Sequence, residues 1–150
     1  MGWHVGGEAI PARIVVAVGV VIEDDLGRVL LVKHKPERGG FWQGKWICPG
    51  GELEVGEEIG EGIRREIREE TGLEVDLVKA LPAFDRIVKR DGKVKLHVIY
   101  VDYEAKLVGG ELKADSDVGE AKWVKKSSLG QIWEEIHEDT KKLLKLAGAV

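Results

Sequence analysis

The side chains of this chain best suited to chemistry stand together in one short stretch, RREIREETG at 64–72, which supplies Arg65, Glu66, Glu69 and Glu70. The apolar spacing predicts a helix from about Glu57 to Thr71, ended by Gly72, a residue suited to a left-handed helix end. With Ile59 set at 0°, a 3.6-residue turn places Ile63 near 40°, Glu70 near 20°, Glu66 near −20° and Glu69 near −80°. Two glutamates therefore share the apolar side, while Glu61, Arg64 and Arg68 form an ordinary solvated face. Ionised carboxylates turned toward an interior need a cation or strong hydrogen bonds. Arg65, one turn from Glu69, is the only positive side chain close at hand, so a divalent metal is the simplest answer. Clustered carboxylates with water suit Mg²⁺ or Mn²⁺, which also bind phosphate oxygens, and the matching substrate is a diphosphate.

The wider segment, GELEVGEEIGEGIRREIREETGL at 51–73, fills every position of the spacing G-x5-E-x7-R-E-U-x-E-E-x-G-U, where U is aliphatic: Gly51, Glu57, Arg65, Glu66, Ile67, Glu69, Glu70, Gly72 and Leu73. By this chain's own composition, such a match arises by chance on the order of once in 10^6 chains. The spacing resembles the Nudix box of hydrolases that split a diphosphate linkage joining a nucleoside to another group. The resemblance implies an α/β fold, an α/β/α sandwich with a mixed sheet between helices. It also implies metal-ligand positions at Glu66, Glu69 and Glu70, with a further oxygen from the Gly50 backbone carbonyl. Arg65 would orient the carboxylates. Glu57 would mainly stabilise the loop-helix-loop geometry, with reach to a metal through water. Family members recruit the catalytic base either from the box, here Glu66, or from a late loop; DSDVGEAKWV at 115–124 offers Asp117 and Glu120. Gly60 and Gly62 stand where family members often carry alanine, and are expected to let the helix approach the sheet.

Phe41 and Trp42, in the loop before the box, are candidates for stacking on a nucleobase, with core packing the alternative; Trp46 is assigned to the core. Arg38, with Lys33, His34 and Lys35, is a candidate for substrate phosphates, against solvated loop charge. The histidines lack zinc-like spacing. Cys48 invites comparison with isopentenyl diphosphate isomerases, which share the fold and use a cysteine, but their box is usually degenerate and this one is complete. A buried, inert thiol is the expectation.

These residues must be positioned by the elements around them. RIVVAVGVVI at 13–22 and VLLV at 29–32 read as buried strands joined by a turn at 24–27, followed by a glycine-interrupted loop over 33–45 and a short strand at 46–48 stopped by Pro49, Gly50 and Gly51. Strands are expected at 74–80, 84–90, 94–106 and 121–125, with AspGly at 91–92 as a hairpin turn. A last helix over 128–147 carries the stripe Ile132, Ile136, Leu143, Leu144 and Leu146.

At 150 residues with a net charge of −4, the chain suits one domain and carries no basic track for a nucleic-acid backbone, so the expected partner is a small nucleotide. One cysteine excludes an internal disulfide and fits a reducing compartment, and the N-terminus lacks a secretory pattern, so the cytoplasm is the expected location. The longest apolar run, Ile14 to Ile22, is too short to cross a bilayer. Absence of Asn, with one-third charged residues, leans toward a thermophile's composition. Many members of the resembled family dimerise, and Trp3 with the N-terminal segment is the candidate interface for a homodimer.

The leading reading is Mg²⁺-dependent hydrolysis of a nucleoside diphosphate derivative: a nucleoside triphosphate, ADP-ribose or a nucleotide sugar. The residues do not separate these. A proline common in ADP-ribose hydrolases about sixteen residues past the box is missing, since that region is Arg86–Arg90 and the nearby proline is Pro82. A non-catalytic nucleotide sensor is the alternative, although such proteins usually lose box glutamates. RNA decapping would favour a basic track.

Overall fold

The computed structural model describes residues 12–35, 41–113 and 118–150, the Val118 side chain excepted. Arg38, Asp117 and Trp3 lie outside the described residues.

Strands β1 (Ile14–Glu23) and β2 (Arg28–His34) are joined by a turn organised on one carboxylate. Asp24 Oδ1 accepts from the amides of Leu26 and Arg28 at 3.0 and 2.9 Å, and Oδ2 accepts from Arg28 Nε at 2.7 Å. The two strands separate after the pair Glu23↔Val29. Residues 46–52 enter the gap: Ile47 bridges Val32, and β3 (Gly50–Glu52) pairs with Ala17–Gly19. The strand expected at 46–48 is thus a pair of isolated bridges, and regular pairing begins at Gly50, where a stop was expected. The reason is steric. Gly50 sits opposite Gly19, and a Cβ on residue 50 would lie 2.2 Å from Val18 O and 2.7 Å from Gly19 Cα, so only glycine admits this backbone approach.

Helix α1 (Ile59–Thr71) follows, then β4 (Leu73–Ala80), β5 (Phe84–Arg90), β6 (Lys93–Gly110) and β7 (Val118–Lys125). The sheet runs β4-β6-β1-β2-β7, with β5 on the same edge of β6 as β4. β1 and β6 run parallel from Ile14↔His97 to Glu23↔Lys106, and the other pairings are antiparallel, giving the expected mixed sheet. Asp91 and Gly92 both have positive φ, 53° and 74°, as the two-residue turn between β5 and β6 requires.

Alternation along β1 covers both faces of the sheet. Val18, Val20 and Ile22 pack with Ile63 and Ile67 of α1, whereas Val21 packs with Leu143 and Leu144 of α2 (Glu138–Leu146). The helix expected over 128–147 is divided: Lys126–Glu135 forms 3₁₀ turns and α2 begins only at Glu138. Residues 135–137 are drawn out of helical bonding by the segment before β3, since Trp46 N donates to Glu135 O and His137 N donates to Trp46 O. His137 then caps α2, its Nδ1 accepting from Asp139 N at 3.1 Å. Of the expected stripe, Ile136, Leu143 and Leu144 are buried and Leu146 is exposed. Among the described residues, no helix is long and apolar enough to cross a membrane.

Candidate active site

Helix α1 presents the faces that its periodicity predicts. Glu66 and Glu70 are 3% and 4% exposed, on the side of Ile63 and Ile67, while Glu61, Arg64 and Arg68 face solvent. The helix ends at Gly72, with φ of 75°, whose amide donates to Arg68 O. Across from the helix, the Gly50 amide donates to Glu70 Oε1 at 3.0 Å, so the glycine turn and the buried carboxylate are directly joined.

Arg65 ties the rest of the acidic group together. Its guanidinium donates to Glu57 at 2.5 and 2.9 Å, to Glu66 Oε1 at 2.9 Å, to Glu69 Oε2 at 3.3 Å and to the Glu52 carbonyl at 3.3 Å. The Arg65 bond holds the Glu57 carboxyl below its ordinary range, and Arg65 is itself raised, chiefly by that same bond. Glu66 moves the other way: burial, then the neighbouring Glu70 charge, pushes it up to about 7 against the opposing pull of Arg65. Glu69 is exposed. Among the described residues, no three His, Cys, Asp or Glu side chains already converge as a ligand set. The chemistry of the donors nevertheless fits a hard divalent cation: they are oxygens, and two of the carboxylates are buried side by side at a cost that positive charge would relieve.

Gly62 serves a different neighbour from the one expected. A Cβ there would lie 2.7 Å from Leu53 Cδ1 and 2.8 Å from Glu57 Oε1, so its lack of a side chain admits the loop before α1, not the sheet. At Gly60 the sheet residue Leu77 would lie 3.6 Å from a Cβ, an ordinary contact.

On the other face of the sheet lies a cleft with a cavity volume of about 50 Å³, its lining including Gly19, His34, Trp42, Gly50, Tyr100 and Asp102. A chain of hydrogen bonds, buried from Trp42 to Asp139 and ending on the half-exposed Arg86, braces its wall. Trp42 Nε1 donates to Tyr100 Oη at 3.0 Å, Tyr100 Oη donates to Asp139 Oδ2 at 2.5 Å, and Arg86 donates to Asp139 Oδ1 at 2.9 and 2.6 Å. Burial, and then the bond to Asp139, keeps the Tyr100 phenol far above its usual range. Gly50 lines this cleft and also donates to Glu70, so the glycine strand is the link between the cleft and the carboxylate helix.

Trp42 lines that cleft; Phe41 instead backs Trp42 and His137 edge-on, with ring centroids 5.1 and 4.7 Å away. Glu120 lies exposed on β7 with Lys33 at 4.0 Å as its ion partner, rather than any carboxylate-helix residue. Trp46 is buried, as expected of a core residue, with the ammonium groups of Lys33 and Lys122 over its ring at 4.7 and 4.3 Å. Cys48 lines the cleft half-buried, and desolvation, with the Asp102 charge, pushes its thiol well above the range of a nucleophilic cysteine. Sequence reasoning passed over Tyr100, Asp102 and Asp139. The signal for Asp102 was present: in HVIYVDY it takes the parity of Val98 and Tyr100, an acidic residue on the buried face of an apolar strand.

A mixed sheet between two helices, with an inward-facing carboxylate helix abutting a glycine strand, defines the class of site. A model of the NUDIX domain family matches residues 13–146. The chain is 38% identical over 117 residues to an ADP-ribose pyrophosphatase of Methanocaldococcus jannaschii, covering 78% of this chain and 65% of that protein. It is 34% identical over 134 residues to the nucleoside triphosphatase NudI of Escherichia coli, covering 85% of this chain and 92% of the relative. The crystal structure of a MutT NUDIX hydrolase from Burkholderia pseudomallei superimposes with a TM-score of 0.75 at 26% identity, over 89% of this chain and 98% of the other. The chain belongs to the Nudix hydrolase family, enzymes that act on phosphoric anhydrides.

Proposed function

We propose that this protein hydrolyses a phosphoric anhydride within a nucleoside diphosphate derivative, using Mg²⁺ or Mn²⁺. The observation that carries the reading is the burial of Glu66 and Glu70 on the inner side of α1, with Gly50 bonded to Glu70. Glu66, Glu69, Glu70 and the Gly50 carbonyl would hold the cation. When bound, it would neutralise phosphate oxygens, orient the anhydride and acidify water.

The chain's own residues supply the remaining chemistry. Arg65 donates to Glu66 Oε1, which leaves Oε2 to take a proton from the attacking water where Glu69, Glu70 and the Gly50 carbonyl hold the cation, or to join them as its ligand where the base lies elsewhere. The same guanidinium limits the freedom of Glu57 and Glu69, so the carboxylates meet the substrate already oriented. The Gly50 amide keeps Glu70 turned toward the glycine strand. The relatives, named for ADP-ribose and for nucleoside triphosphates, both act on compounds containing a nucleoside diphosphate, and that shared part is the substrate proposed here: a nucleoside triphosphate, ADP-ribose or a nucleotide sugar.

The test is turnover by the purified protein on NTPs, dNTPs, ADP-ribose, nucleotide sugars and dinucleoside polyphosphates, with Mg²⁺, with Mn²⁺ and with chelator. Glu70→Gln serves as the comparison. Metal-dependent turnover that collapses in Glu70→Gln is expected. Nucleotide binding without turnover under every condition would instead establish a sensor.

A further inference from the structure

Among the described residues, two buried polar side-chain atoms have no hydrogen-bond partner, His34 Nε2 and Asp102 Oδ2, and both residues line the cleft. His34 Nε2 stands 3.7 Å from Glu70 Oε2, so the neighbouring carboxylate accounts for its placement. Asp102 has no such counterpart. It is 5% exposed, and burial alone pushes its carboxyl up to about 7. A desolvated carboxyl left unpaired opposes folding. The fold does not require one at this position, since Val98 and Tyr100 fill the same face of β6 without charge. A group that burdens the fold and lines an accessible cleft is placed for a ligand. The cavity volume of about 50 Å³ admits the edge of a ring or a few waters, a water needing roughly 10–15 Å³ of such space. A hydrogen-bonding edge, not a whole purine, is therefore what meets Asp102.

We propose that Asp102 determines base specificity: its carboxylate accepts an N–H from the exocyclic amino group of the substrate's base, selecting adenine or cytosine derivatives over their carbonyl counterparts, hypoxanthine and uracil. This rests on the nucleotide reading of the preceding section. An amino group places a donor before the ionised carboxylate, whereas a carbonyl at the same ring position places one acceptor before another. Trp42, held by Tyr100, gives the entering ring an aromatic wall.

The test is calorimetric binding of nucleoside monophosphates in alkaline buffer with chelator, so that it depends neither on turnover nor on metal. CMP is compared with UMP, and AMP with IMP, for the native protein and for Asp102→Asn. The variant keeps the side-chain shape and removes a buried charge, so it folds. The native protein should bind the amino member of each pair about 10- to 100-fold more tightly, and Asp102→Asn, which can both donate and accept, should bring each ratio close to one. Equal binding within the native pairs, a preference undiminished in Asp102→Asn, or no binding by any of the four overturns the proposal. Absence of turnover across the substrate panel, with the binding preference intact, would overturn the hydrolase reading alone.

Discussion

Arg65 and Glu57 form a two-bonded pair, Nε to Oε2 at 2.5 Å and Nη2 to Oε1 at 2.9 Å. Glu57 precedes α1 and Arg65 lies in its second turn, so the pair fastens the loop to the helix. The Glu54 amide adds a third bond to Glu57 Oε1 at 3.1 Å. Because Arg65 Nη1 also reaches Glu66 and Glu69, one guanidinium sets the loop and two of the proposed cation ligands together.

Arg65→Lys should therefore lose more than charge. An ammonium cannot reproduce the forked bond to Glu57 while also reaching Glu66 and Glu69. Urea unfolding should show a loss of about 1.5–3 kcal/mol, and kcat should fall with the orientation of Glu66. Glu57→Gln should destabilise as well, and the double variant should lose less than the sum of the two. Additive losses would show that the pair is not a coupled unit.

Two helical glycines should respond to alanine with opposite signs. At Gly60 the nearest atoms to a new Cβ are the flexible end of Arg64 at 3.1 Å and Leu77 Cδ1 at 3.6 Å. Gly60→Ala should stabilise the protein by up to about 1 kcal/mol, the helical preference of alanine. At Gly62 the Cβ would press on Leu53 and on the Glu57 carboxylate that Arg65 holds, at 2.7 and 2.8 Å. Gly62→Ala should destabilise by about 1–3 kcal/mol despite the same preference. Thermal unfolding of the two variants side by side reads both signs.

The contrast between those glycines marks where the sequence was legible. Helical periodicity alone placed Glu66 and Glu70 inside and Arg64 and Arg68 outside, because a helix face follows directly from residue spacing. The strands β1 and β2 were readable from their nearly continuous apolar runs, and the hairpin that joins β5 to β6 from its AspGly pair at 91–92. What could not be read were contacts between distant segments. The facing glycines Gly19 and Gly50 are 31 positions apart and become a pair only when β3 enters the gap between β1 and β2. The first half of the expected last helix was lost to Trp46, which is remote in sequence but bonds residues 135 and 137. Asp102, Tyr100 and Asp139 gather at the cleft from two elements that no local pattern relates.

The choice of catalytic base separates two carboxylates in very different surroundings. Glu66 is buried beside Glu70, while Glu120 is exposed beside Lys33. Under saturating metal, Glu66→Gln should lower kcat by roughly 10²- to 10⁴-fold, the usual contribution of a positioned base. Glu120→Gln should leave kcat within about a factor of three, as expected of a solvated surface pair. A collapse of kcat in Glu120→Gln with a mild effect in Glu66→Gln would move the base to β7.

Asp102 gives the stability of the protein a definite pH dependence. Its carboxyl lies near 7 in the fold against an ordinary 3.8, so between those values the folded state holds a proton that the unfolded chain has released. Where the folded form binds more protons, stability falls as pH rises. The loss due to Asp102 is therefore absent below about pH 4, grows as pH climbs toward 7, and is complete above it. Asp102→Asn removes that proton exchange, so its stability advantage over the native protein should widen across this window, by on the order of 4 kcal/mol, and then level off. Urea unfolding of both proteins in chelator, at steps through the window, measures the difference directly and cancels the contribution of Glu66, which both share. A difference that stays flat with pH would mean that the Asp102 carboxyl is ionised throughout, held by a partner such as ordered water in the cleft.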